Sequence, residues 1–166
     1  GNIGDAQSTR MSVTGTLKLD PIGARGVRFD VNASKAWLSV TDPFTGLDRP
    51  FSNNTIDYIE ANVRHDVAGS DWAYGAGLFS NDNAPYSRRF EIGRGGEGPT
   101  FVDVFVENKD VFGLTLNASV SNILGATQNF ERTVFAGPRP TEEIPFREVA
   151  RRRIGPIFRL TVSGNF

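Results

Sequence analysis

Cysteine is absent from the 166 residues, which excludes disulfides, thiolate metal sites and thiol nucleophiles together. One histidine and one methionine leave little for transition-metal ligation. The net charge is −1, so no global field points toward nucleic acid or an anionic surface. No apolar run approaches the ~18 residues of a membrane helix, and no stretch of helical length carries a 3.6-residue apolar period. These absences leave β structure. They do not exclude a membrane protein, because barrel strands alternate and only their phase reveals them. The opening Gly1-Asn-Ile-Gly4 has neither the basic region nor the apolar region of an export signal, so the expectation is a mature chain or a piece of a longer one.

What is present is a period of two. In the last stretch, Phe158, Leu160, Val162, Gly164 and Phe166 fall on one side, and Arg159, Thr161, Ser163 and Asn165 on the other. Met11, Val13, Gly15, Leu17 and Leu19 alternate with polar residues in the same way, as do Ile59, Ala61 and Val63. Leu114, Leu116, Ala118 and Val120 alternate with Thr115, Asn117, Ser119 and Ser121. Each pattern fits a strand wetted on one face. The strand opening at Val27, Phe29, Val31 and Ala33 slips phase near Lys35, because Ala36, Leu38 and Val40 then carry the apolar side. A bulge, or emergence of the strand from an apolar layer, would produce that slip, and the bulge is the favoured reading. Trp72 and Tyr74 start another strand, placed either as an interfacial aromatic girdle or as ordinary core aromatics.

Between the strands, short turns at 20–26, 67–71 and 108–113 alternate with longer polar loops at 41–54, 80–87 and 125–147. The run Gly93-Arg-Gly-Gly-Glu-Gly98 matches G-x-G-x-x-G, but a dinucleotide site needs a following helix, and Val102, Val104 and Val106 are β in pattern. Keeping the turns on alternate sides requires 88–109 to be one long, irregular strand. The count is then about seven strands. Closed single-chain bacterial barrels have an even number, so an open sheet is expected, with the strands near Met11 and Leu160 as its edges.

Asn122-Ile-Leu-Gly125, Gly137-Pro-Arg139 and Gly164-Asn-Phe166, in this order, resemble motifs of the C-terminal barrel of TonB-dependent outer-membrane receptors. Gly1–Ala6 and Val104–Gly113 also look like that family. The resemblance extends over essentially all of 1–166. It implies an all-β fold, an antiparallel meander of about seven strands forming the C-terminal segment of a transmembrane barrel of about 22 strands. Asn122, Gly125, Gly137, Pro138, Arg139, Gly164 and Phe166 are the positions that carry the motifs. The implied partners are the remaining strands and plug domain of one receptor and the TonB complex reached through that plug. The barrel-assembly machinery, reading the terminal strand, and the lipid of a Gram-negative outer membrane complete the set. Uptake of scarce nutrients, such as iron–siderophore complexes or oligosaccharides, is the implied function. No cofactor, metal, nucleic acid or catalysis is implied. A small self-contained barrel of structural or adhesive role, and a soluble β-sandwich binding module, are the alternatives.

Candidate chemistry is sparse. Glu142 and Glu143 are adjacent in an extended segment and point apart, which does not suit acid–base work. His65 beside a turn lacks a visible nucleophile and orienting acid. Arg151-Arg-Arg153 is the strongest charge run, and with Arg88 and Arg94 it could contact phosphates or an anionic substrate at the outer rim. A solvated strand extension is the plainer reading. The polar side of the strands, with Arg10, Lys18, Arg28, Asp30, Glu60, Arg64 and Asp103, is mixed in sign. That suits a water-filled, plug-contacting wall.

Overall fold

The structure is a computed structural model describing residues 4–97, 100–139 and 143–164. In chain order the strands are β1 Ala6–Lys18, β2 Val27–Thr41, β3 Asp48–Arg49, β4 Thr55–Asp66, β5 Trp72–Asn83 and β6 Tyr86–Ser87. They continue with β7 Glu91–Glu97, β8 Phe101–Val111, β9 Leu114–Ser121, β10 Thr127–Val134, β11 Phe146–Arg153 and β12 Ile157–Ser163. The only helical segment among the described residues is a 3-10 turn at Asp20–Ile22. All strand pairs are antiparallel.

The main sheet runs β1-β2-β4-β5-β8-β9-β12, with the short β3 beside β2. It is a meander of seven passes, open at β1 and at β12. The tight turns have local causes. Asp20 accepts a hydrogen bond from the Gly26 amide at 3.0 Å, and Gly23 and Gly26 take positive φ. Phe112 and Gly113 both have positive φ, the backbone of a two-residue hairpin whose twist matches its strands. Asp110 accepts from the Gly113 amide at 2.9 Å there.

Register makes the two faces explicit. One row across the seven passes reads Leu17, Phe29, Val63, Ala76, Val104, Val120, Phe158. The row beside it reads Lys18, Arg28, Arg64, Gly75, Phe105, Ser119, Arg159. Since neighbouring residues point to opposite faces, one face is apolar and the other largely polar. The apolar face is not covered: Phe158 is 79% exposed, Leu160 71% and Met11 66%. Buried apolar residues are small, namely Ala36, Val40, Ala61, Ala73, Ala84 and Ala126. There is no core of large side chains among the described residues.

A second sheet, β11-β10-β7-β6, corrects several expectations. The segment 88–109 is not one strand but β7 and β8, and the expected loops at 80–87 and 125–147 contain the end of β5, β6, β10 and part of β11. The order of the outer sheet copies that of the main one, because β6, β7, β10 and β11 extend β5, β8, β9 and β12 respectively. Three of these passes are interrupted at the same level, at Ala84-Pro85, Asn122–Ala126 and Ile154–Pro156. Two of the three intervals contain a proline, which has no N–H to give a ladder. The seven-pass parity survives because the outer strands prolong existing passes. The expected bulge near Lys35 is absent: β1 and β2 pair without a shift from Ala6↔Val40 to Lys18↔Arg28. The phase slips because beyond Lys35 the apolar residues change face, and Ala36 and Val40 become buried there. The irregularity lies instead on β4, between Thr55 and Asp57. The expected loop 41–54 also contains β3, paired with Val40 and Thr41.

Candidate functional site

The polar face of the main sheet is a hydrogen-bonded wall. Thr16 donates to Asp30 at 2.6 Å and Arg28 to the other oxygen of Asp30 at 2.8 Å. Nearer the tight turns, Arg64 joins Glu107 at 2.6 Å and Asp66 at 3.1 Å. Lys109 reaches Asp66 at 2.6 Å, and Asn117 donates to Glu107 at 3.1 Å. The Phe105 ring lies over Gly75, where a Cβ would strike it, and the Arg64 guanidinium stands 5.4 Å from that ring's centre. A groove of about 370 Å³ opens along this wall between Asp30, Asn62, Arg64 and Asp103. Its charges are of both signs and meet one another, so it offers hydrogen bonds to a hydrated partner rather than a focused field.

Where the passes break, Asn122 is the stitch. It is 3% exposed with φ of 53°, a left-handed conformation that Asn tolerates better than most residues. Its side-chain oxygen accepts from the Ala126 amide at 2.9 Å, and its side-chain nitrogen donates to the Ile154 carbonyl at 2.5 Å. Its own amide donates to Asp103 at 2.9 Å. One side chain therefore closes the β9–β10 interval and ties it to the β11–β12 interval. Gly125, with φ of 63° and its amide on the Asn122 carbonyl at 2.9 Å, completes the turn.

Arg139 is the second fixed point. Its amide donates to the Arg89 carbonyl at 3.0 Å and its Nε to the Arg88 carbonyl at 2.7 Å. Its Nη2 meets Asp42 at 2.7 Å, with both side chains buried. Asp42 also accepts from Arg49 at 2.6 Å and from the Phe44 amide at 2.9 Å. Burial alone would raise the Asp42 pKa, but the hydrogen bonds from Arg139, the Phe44 amide and Arg49, with the Arg139 charge, hold it at about 2. Gly137 and Pro138 lie in the bend immediately before Arg139. Gly164 lies at the end of β12 against Leu114, which a Cβ would strike. Phe166 lies outside the described residues.

The other candidates are scattered. Arg88 pairs with Glu91 at 2.7 Å and stands 5.1 Å from the centre of the Tyr86 ring. Arg94 lies 3.7 Å from Asp82. Arg151, Arg152 and Arg153 sit on exposed β11 opposite Asn129, Gln128 and Thr127, so they do not form one patch: Arg152 points to the other face. The glycine run is strand, paired with β6 and β10. Its glycines admit neighbours, since Tyr86 packs across Gly93 and Phe130 across Gly95. His65 accepts from or donates to the Tyr74 hydroxyl at 2.8 Å, with the rings edge to face. Glu143 is exposed, and Glu142 lies outside the described residues.

Sequence reading missed Asp42, the acid that Arg139 needs. The two are 97 positions apart, and an Asp before a proline reads as turn chemistry. No three His, Cys, Asp or Glu residues group to hold a metal ion among the described residues. No protein-family model, curated protein or solved structure matches the chain.

Proposed function

We propose that the chain is the C-terminal part of the barrel of a TonB-dependent outer-membrane receptor, an active transporter for scarce nutrients such as iron–siderophore complexes or oligosaccharides. One observation carries the reading: the seven-pass sheet has an uncovered apolar face, a hydrogen-bonded polar face and two free edges. In water such a face would be a large exposed apolar patch, and in lipid it is the outer surface of a barrel wall. A sandwich module would need large apolar residues in a closed interior, and none are buried among the described residues. A small closed barrel would need β1 to pair with β12, and each pairs on one side only. The further strands of the receptor would complete those edges, with the plug against the polar wall and TonB engaged through the plug. The stitched Asn122-Ile-Leu-Gly125 turn and the buried Arg139 give structural roles to the residues that carry the resemblance.

The absence of cysteine gives a clean test. Leu160→Cys and Thr161→Cys would be made in the intact protein, in permeabilised cells that produce it. The expected result is that a water-soluble maleimide labels Thr161→Cys and spares Leu160→Cys, which a lipid-dissolved maleimide labels. Equal labelling of both by the water-soluble reagent would remove the membrane reading.

A further inference from the structure

On the apolar face a groove of about 610 Å³ lies between β8, β9 and β12, walled chiefly by Val104, Val106, Ala118, Val120, Phe158 and Leu160. The strand leading into it is β11, the free edge of the outer sheet. Arg151 and Arg153 share one face of that edge, ~7 Å apart at extended spacing. Both are exposed, and among the described residues no acid lies within ion-pair distance of either. By contrast Arg28, Arg49, Arg64, Arg88, Arg132 and Arg139 each meet a carboxylate. Only Ile154–Pro156 separate Arg153 from Ile157, about 13 Å of extended chain, and the pair shares its face of the outer sheet with Arg94, which lies 3.7 Å from Asp82 on the apolar side of the main sheet.

We propose that this groove and the Arg151–Arg153 pair form a binding site for a phosphate-bearing membrane lipid, acyl chain in the groove and phosphate on the arginines. The inference rests on the membrane reading above. Guanidinium groups bind phosphate oxygens bidentately, and an acyl chain suits a floor of Val, Ala, Leu and Phe. A second apolar groove, of about 500 Å³ beside Met11, Val13, Ala33 and Ile59, makes a contrast within the same face. Its cation, Lys35, is already taken by Asp57 at 2.7 Å, so that groove has apolar walls without a free anion site.

The test is retention of lipid by the intact protein from vesicles mixing phosphatidylglycerol with phosphatidylcholine, read by native mass spectrometry. The expected result is roughly 10- to 30-fold preference for phosphatidylglycerol, since each arginine near an anionic headgroup contributes several-fold. Arg151→Gln with Arg153→Gln abolishes the preference, and Arg152→Gln, on the other face, retains it. Millimolar inorganic phosphate does not displace the lipid. No preference, equal loss in Arg152→Gln, or displacement by phosphate alone would each overturn the site. Heat-modifiable mobility on gels checks that each variant folds. If Leu160→Cys proves lipid-embedded while the anionic preference is missing, this inference fails and the membrane reading stands. If Leu160→Cys is labelled from water, the membrane reading fails first.

Discussion

Arg139 reaches back across most of the chain to a carboxylate that is 1% exposed. At that depth an ion pair gains little over an apolar substitute, yet loss of one partner leaves a charge without compensation. Arg139→Ala should therefore cost about 3 kcal/mol, somewhat eased because Arg49 still bonds Asp42. Urea midpoints would read the loss. Asp42→Ala with Arg139→Ala together should cost less than the two separate losses added, since neither charge is then stranded. The pH dependence has a definite sign. A carboxyl held at about 2, below its ordinary value near 4, contributes roughly 2 kcal/mol that is fully present above that ordinary value. The contribution is lost as pH falls through about 2. Protection factors at the Ala136 and Arg139 amides, whose bonds to Glu143 and Arg89 hold this loop, should fall over that range once the intrinsic slowing of exchange in acid is divided out. Protection unchanged down to pH 2 would contradict the assignment.

Among the strands, the alternating ones carry the membrane argument and give it a number. Leu160→Arg, if near the middle of a bilayer, should cost roughly 2–4 kcal/mol in urea unfolding from lipid vesicles, and Thr161→Arg far less. Equal costs would mean that the two faces see the same medium. These strands were legible because one face is apolar and the other polar, so a period of two survives in the sequence. The outer sheet was not. Thr127-Gln-Asn-Phe-Glu-Arg-Thr-Val134 is polar on one side and mixes Phe130 and Val134 with Gln128 and Arg132 on the other, which leaves a period of two too weak to read. In β7 the glycines replace side chains altogether, so nothing in Gly93 and Gly95 announces that Tyr86 and Phe130 will lie over them. The Asn122 turn could be picked out by its residues, but its contact with Ile154 spans 32 positions. The same holds for Arg139, where the residue was visible and its partner was not. Long-range pairing leaves no local trace.

At the scale of the whole molecule, two free edges govern what the chain can do alone. In hydrocarbon each unpaired backbone N–H or C=O costs several kcal/mol, and β1 and β12 each present a row of them. Summed over a spanning strand, that exceeds the stability of an ordinary domain. The expected outcome in planar bilayers is that these 166 residues alone give no discrete, reproducible conductance step. A stable unitary pore from the pure chain would show that the edges close by themselves, and the fragment reading would be lost.

The three passes that break at one level give the wall a crease. A continuous antiparallel ladder resists bending across its strands because every rung would have to stretch. Where neighbouring strands keep only a few rungs between them, as Ile123 to Val102 and Ile154 to Ala126, curvature concentrates there instead. A sideways load on the outer four-stranded panel would then tilt that panel about the crease, leaving the registers of the main sheet undisturbed. Asn122, fastening two of these interrupted passes with one side chain, would stiffen that crease.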